Sequence, residues 1–249
     1  SVFASAFTIL FMFWSITILL TNIVSKGQEL TKNNEIAILG SAVIGSLAFA
    51  FTDSFWFNAV EAEVYAMAAT IMAVLFYLAL RWEQEMNTPR GDRWVILIAF
   101  VIGLSFGVHF LGLLTIPAIG FLYFFKNYKE VTVKNFIIAN LVTVAILLFI
   151  FKLLLPMTMK FFSGSELFFV NSMGMPFNSG TIIAGLLFIG LSYYLLRYTR
   201  KKNYTQLNTL LLCILFILIG FSSWLMLPIR ANAGTVINEN NPNNARELL

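Results

Sequence analysis

An all-α, polytopic bundle of membrane-spanning helices is the fold class that this sequence predicts. Of the 249 residues, 59% are hydrophobic and only 11% are charged, whereas soluble domains carry about 25% charged residues. The apolar residues are gathered into runs of about 17–25, the length that crosses a bilayer core as helix. Short polar turns rich in Lys and Arg separate those runs. The first two observations set the membrane class, and the third sets the topology.

The hydropathy pattern places spans at Val2–Val24, Ile36–Phe51, Phe55–Leu80, Trp94–Val108, Phe110–Phe125, Asn135–Leu155, Thr181–Arg197 and Leu207–Leu227, seven to eight membrane helices including one short hairpin. Val2–Val24 is too long and too little flanked by charge for a signal peptide. Because residue 1 is Ser and not Met, the chain reads as a piece of a larger protein. Phe55–Leu80 is long, roughly 39 Å as helix, so its polar first turns are expected to project past the bilayer core. Trp94–Val108 and Phe110–Phe125 are each roughly 23 Å, short of a ~30 Å core, and read as a hairpin with its apex near the outer surface. Gly103, Ser105, Gly107 and Gly112 suit close helix approach there. Residues 1–227 form the transmembrane domain, and 228–249, rich in Asn, read as an outer-face loop leading into further sequence. The lone Cys213 lies within an apolar run, so it carries no disulfide framework and no thiol chemistry.

Four turns, SKGQELTKNNE, RWEQEMNTPRGDR, KNYKEVTVK and RYTRKKNYTQ, hold 12 of the 16 Lys and Arg, while the acids divide six and six between the two faces. Lys/Arg bias sets orientation, so these turns are expected to be cytoplasmic. The same distribution accounts for the net charge of +4 without a nucleic-acid partner. The opposite face then owns Asp53, Glu61, Glu63, Glu166, a loop at Ser163–Gly180 and the tail from Pro228.

Acids beside a membrane span are costly unless they face water, a partner or a substrate. On one helix from Phe55, Asn58, Glu61 and Tyr65 share a face, and Glu63, about 200° from Glu61, points nearly the opposite way. Asp53 reads as the N-cap of that helix, with Glu61 and Glu63 favouring its positive end. The competing reading puts these residues around a polar pocket. His109, the only histidine, either donates to an anionic phosphate or carries a proton, or bonds a neighbouring backbone carbonyl and closes the hairpin turn. Arg230 suits bidentate phosphate binding or snorkels to headgroups. Lys152 is expected to snorkel, and Glu166 to lie in an interfacial helix or a lid. Nucleotide-loop, zinc-spacing and Ser/His/Asp signatures are absent from the sequence.

The segments FWFNAVEAEVYAM, GLSFGVHFLGLLTIPA and LPIRANAGTVINENNP resemble the bacterial branch of membrane glycosyltransferase family 117, relatives of the protein O-mannosyltransferases, over nearly the whole chain. The resemblance implies a GT-C type enzyme of the bacterial inner membrane with a periplasmic active face. Such an enzyme takes a sugar, mannose being one possibility, from a polyprenyl-phosphate carrier to Ser or Thr of an exported protein. Membrane lipid, the lipid-linked donor and the protein acceptor are the partners it implies; a divalent metal is compatible but not indicated. In such enzymes the catalytic acid usually lies in the first outer loop, which is expected to precede Ser1, so the general base is not assigned here. Placement then puts Asn58, Glu61, Tyr65, Glu63 and Asp53 around sugar and acceptor, and His109 and Arg230 on the carrier phosphate. Two rivals remain. A transporter or flippase would put its ionisable groups near the midplane, commonly between repeated halves; a non-catalytic scaffold would dock a partner through the outer loops.

Overall fold

The computed structural model describes residues 1–25, 27–61 and 63–248; Lys26, one of the basic turn residues, and Ala62 lie outside them. The described chain is helical with no strand, in the order α1 (Val2–Ser25), α2 (Lys32–Ala50), α3 (Asp53–Val60), α4 (Tyr65–Glu85), α5 (Gly91–Ser105), α6 (Thr115–Asn127), α7 (Val133–Leu148), α8 (Leu155–Leu167), α9 (Ser179–Lys201), α10 (Thr205–Phe221) and α11 (Met226–Ala231). Seven helical stretches among the described residues are long and apolar enough to cross a membrane. α5, with 15 residues, is the short arm of the expected hairpin.

Side-chain contacts fix the directions. Thr8 and Thr70 share a hydrogen bond at 3.0 Å, and Phe11 and Trp14 pack on Tyr77, so α1 and α4 run parallel. Lys126 pairs with Glu83 at 2.6 Å and Tyr123 stacks on Trp82, which brings α6 down beside α4 to the lysine-rich end. Thr209 donates to Asp92 at 2.8 Å near the starts of α10 and α5, and these two helices rise together toward the other end. Their seam is the tightest in the bundle. A Cβ on Gly103 would meet the Ile217 carbonyl, and one on Gly220 the backbone of Phe100 and Leu104. Around that seam lie Leu75, Ile98, Ile102, Phe106, Ile217 and Phe221, all buried. Gly103 and Gly107 therefore serve α10 and the turn after it, where Gly107 meets Ser223, and not the hairpin partner. Gly112 and Ser105 close the hairpin, the glycine α-carbon lying against the serine side chain.

Three expectations need correction. Phe55–Leu80 is not one helix. α3 ends at Val60, Glu61 is extended (φ −74°, ψ 146°), and α4 begins at Tyr65. The two halves have different anchors: Phe55 is buried against Phe49 of α2, whereas Ala66 is buried and Thr70 donates to Ala4 of α1. A straight helix cannot satisfy both. Asn58, Glu61 and Tyr65 consequently do not share a helical face. Second, Asp53 is not the N-cap; Thr52 holds that position with its hydroxyl turned back to the Phe49 carbonyl and not capping the helix, and Asp53 is the first helical residue, still at the positive end.

Third, the helix of α7 does not stop at Leu155. It runs through a π-helical stretch (Phe149–Leu154) into α8 and a second π stretch (Phe168–Ser172), 40 residues in all. At 1.5 Å per residue that is roughly 60 Å, twice a bilayer core. Pro156 explains why the sequence suggests an end there. Its ring removes a donor and crowds the carbonyl four residues back, and the π stretch just before it absorbs the misfit. The expected loop at Ser163–Gly180 shrinks to a connection between Met173 and Asn178. The last span, expected at Leu207–Leu227, lies within a helical stretch Thr205–Ala231, in which α10 passes through a 3-10 turn (Ser222–Leu225) into α11. The tail folds back on α11: Asn232 donates to the Asn243 carbonyl at 2.8 Å and Asn238 to the Ala231 carbonyl at 3.2 Å. Asn240 and Asn241 take positive φ of 60° and 42°, a conformation asparagine tolerates better than most residues.

Candidate functional site

At the end of the bundle away from the lysine-rich turns, α5 finishes in a compact apex. The Val108 and His109 amides both donate back to the Ser105 carbonyl, and His109, extended at φ −164° and ψ 146°, caps a 3-10 turn at Phe110–Leu114. Its Nδ1 accepts the Leu111 N–H at 3.2 Å. That bond decides the tautomer: with Nδ1 an acceptor, the ring proton sits on Nε2, which is left free to donate. The histidine thus closes the turn, and its Nε2 makes no hydrogen bond among the described residues. Its backbone partner is an amide, not the carbonyl that a closing histidine was expected to bond.

The apex is seated on the start of α4. Gly112 is buried beside Ser105 and Ile71, and the Tyr65 ring lies 5.7 Å from the His109 ring at 48°. The break after α3 makes this possible, because it frees Tyr65 to begin a new helix beside the apex. The remaining acids ring the break. Glu61 terminates α3, its N–H donating to Phe57 at 3.1 Å, and Asp53, Glu61 and Glu63 are all exposed, with Asn58 half-buried on α3. Arg230, exposed in the last turn of α11, makes no hydrogen bond or ion pair with the other candidates among the described residues. It is tied to the apex only through its segment: Trp224 Nε1 donates to the Phe106 carbonyl at 2.7 Å.

A cavity of about 550 Å³ opens on the other side of that tie, between α8, α9, α10 and the tail. Its depth is apolar (Phe162, Phe188, Leu218), and its rim carries Trp224, Asn178 and Asn244. None of the seven candidate residues lines it. The sequence gives little warning of this hollow. Trp224 beside a helix end carries a weak interfacial signal, but Asn178 and Asn244 carry none, since their positions depend on how the tail and α9 fold back. Glu166 builds the wall. Buried on α8, it accepts the Asn178 N–H at 2.6 Å, the Thr181 N–H at 2.7 Å and the Thr181 hydroxyl at 2.9 Å. It satisfies orphan donors at the start of α9 from another helix, which makes it a cap and not a lid. Among the described residues, no three His, Cys, Asp or Glu side chains gather as a metal-holding group.

The bundle and its apex define an all-helical membrane protein whose polar candidates concentrate at one end. The chain belongs to the family described as the N-terminal domain of protein O-mannosyl-transferase TMEM260, whose model matches residues 1–132. The match takes in α1 through α6, and with them the Asn58–Tyr65 and His109 motifs. The third motif, around Arg230, lies beyond the matched residues. No curated protein and no solved structure matches the sequence.

Proposed function

We propose that this chain is part of a GT-C type glycosyltransferase that moves a sugar from a polyprenyl-phosphate carrier to Ser or Thr of an exported protein. The lysine-rich turns would face the cytoplasm and the apex the periplasm of a bacterial inner membrane. The observation that carries the reading is the meeting of Tyr65 and His109, 5.7 Å apart, where two segments of the family-matched half converge.

The chemistry follows from the groups present. The acceptor hydroxyl attacks the anomeric carbon, the bond from that carbon to the carrier phosphate breaks, and the hydroxyl proton passes to a general base that we assign to no residue of this chain. The departing phosphate gains negative charge. His109 Nε2–H is a preorganised donor for it, its ring held by the Leu111 amide and flanked by Tyr65. Arg230 adds a guanidinium on the segment docked to the same apex. Glu61, Tyr65 and Asn58 face sugar and acceptor, with Glu63 and Asp53 further out. The apolar hollow behind Trp224 suits the hydrocarbon of a lipid-borne donor.

Transfer of a labelled sugar from a polyprenyl-phosphate donor by the full-length protein tests this. His109→Ala is expected to lower transfer about 100-fold, the usual loss for a donor to developing charge, and Glu61→Gln by about tenfold. Wild-type rates in both variants would remove the site. Protein-dependent movement of lipid or solute with no transfer would instead favour a transporter. Labelling of an introduced cysteine at position 61 (with Cys213→Ser) by a membrane-impermeant maleimide in intact cells tests the face.

A further inference from the structure

A second cavity, of about 520 Å³, runs from the lysine-rich end into the bundle between α5, α6, α7 and α10. It plays no part in the transfer chemistry. Its walls are apolar, formed by residues such as Ile98, Ile119, Ala139, Val142 and Ile217, and Cys213 opens onto it. α7 meets α6 where Gly120 touches Thr143, and the cavity stands where α7 would otherwise pack on α5 and α10.

Size selects the occupant. Lining residues on the α7 helix run from Asn135 to Ile150, roughly 22 Å at 1.5 Å per residue, which exceeds the ~15 Å depth of one leaflet. A helix of that length and ~10 Å diameter displaces roughly 1,700 Å³, more than three times the space. A methylene group displaces about the ~30 Å³ of a water, so one acyl chain of about 16–18 carbons fills it. Water is no competitor, because an apolar hollow of this kind stays dry.

Charge selects the headgroup. The mouth is marked by Tyr128 and Asn135, with Trp82 and Tyr123 beside it, aromatic residues suited to the headgroup level. Lys129 and Lys134, the immediate neighbours of Tyr128 and Asn135, are exposed and have no carboxylate within ion-pair distance among the described residues. The nearby Lys126 and Arg81 are already paired, with Glu83 and Glu85. Glu130 is the one acid between the free lysines, so the rim keeps net positive charge. We propose that this cavity holds one acyl chain of an anionic phospholipid from the leaflet at the lysine-rich end, its phosphate at Lys129 and Lys134, and that this lipid takes the place of side chains in fastening α7.

The test uses the full-length protein in nanodiscs of phosphatidylglycerol and phosphatidylcholine, either lipid carrying a diazirine on its acyl chain. Adducts are expected on the peptides holding Val142 and Cys213, with phosphatidylglycerol preferred. Ala139→Trp, which fills the cavity, should lower that adduct about tenfold. Lys129→Gln and Lys134→Gln lie outside the packed bundle and should each reduce the phosphatidylglycerol preference about fivefold. Adducts spread along the exposed face of α9 at equal yield would overturn the proposal. So would equal labelling by both lipids, or cross-linking from Cys213 to protein in place of lipid. None of these readouts depends on sugar transfer.

Discussion

α10 and α7 are both long apolar helices against the same hairpin, yet they are held in opposite ways. α10 is pressed on α5 until glycine meets backbone at Gly103 and Gly220, while α7 touches α6 near Gly120 and then faces a cavity. In a bilayer, lipid competes for every apolar surface, so helices associate by close approach and by hydrogen bonds. The α5–α10 seam has that approach. α7 lacks it over most of its length, and so its place depends on its partners and on lipid.

Substitution should break the comparison most at the seam. Gly220→Val drives a side chain into the Phe100 and Leu104 backbone, which cannot rotate away; about 3 kcal/mol or more is the expected loss, read as a collapse of monodisperse protein on size exclusion. Glu166→Gln strikes the α8–α9 arm, which hangs on one carboxylate. An amide offers one acceptor where three donors converge, so thermal unfolding in detergent should show a loss of about 2 kcal/mol. Gly120→Ala meets the stiff Thr143 side chain and not backbone, and because the loosely packed α7 can shift to relieve it, about 1 kcal/mol is expected by the same measurement. A loss as large as that of Gly220→Val would erase the distinction between the helices. Thr70→Val removes the hydroxyl that donates to Ala4 and shares a bond with Thr8, and about 0.6 kcal/mol should follow.

The spans were legible in the sequence because lipid demands ~20 apolar residues per crossing, and the charge pattern marked which turns share an end. The break between Val60 and Tyr65 was not. No Gly or Pro marks it, and it arises from two anchors, Phe55 on α2 and Thr70 on α1, that only the tertiary structure reveals. Pro156 misled in the other direction, since a π stretch carries the helix through it. At the candidate site the charge pattern put the start of α4 and the hairpin apex at one end, where Tyr65 and His109 meet, but the single helical face expected for Asn58, Glu61 and Tyr65 is broken after Val60. The backbone bond that sets the His109 tautomer and the Trp224 tie to Phe106 depend on the folded apex, which no local pattern encodes.

The central claim is that Tyr65 and His109 act as one unit. A double-mutant cycle on sugar transfer by the full-length protein tests it most directly. With Tyr65→Ala lowering transfer about tenfold and His109→Ala about 100-fold, coupled residues predict a double variant near 100-fold down. A double variant about 1,000-fold down, the product of independent effects, would contradict the account.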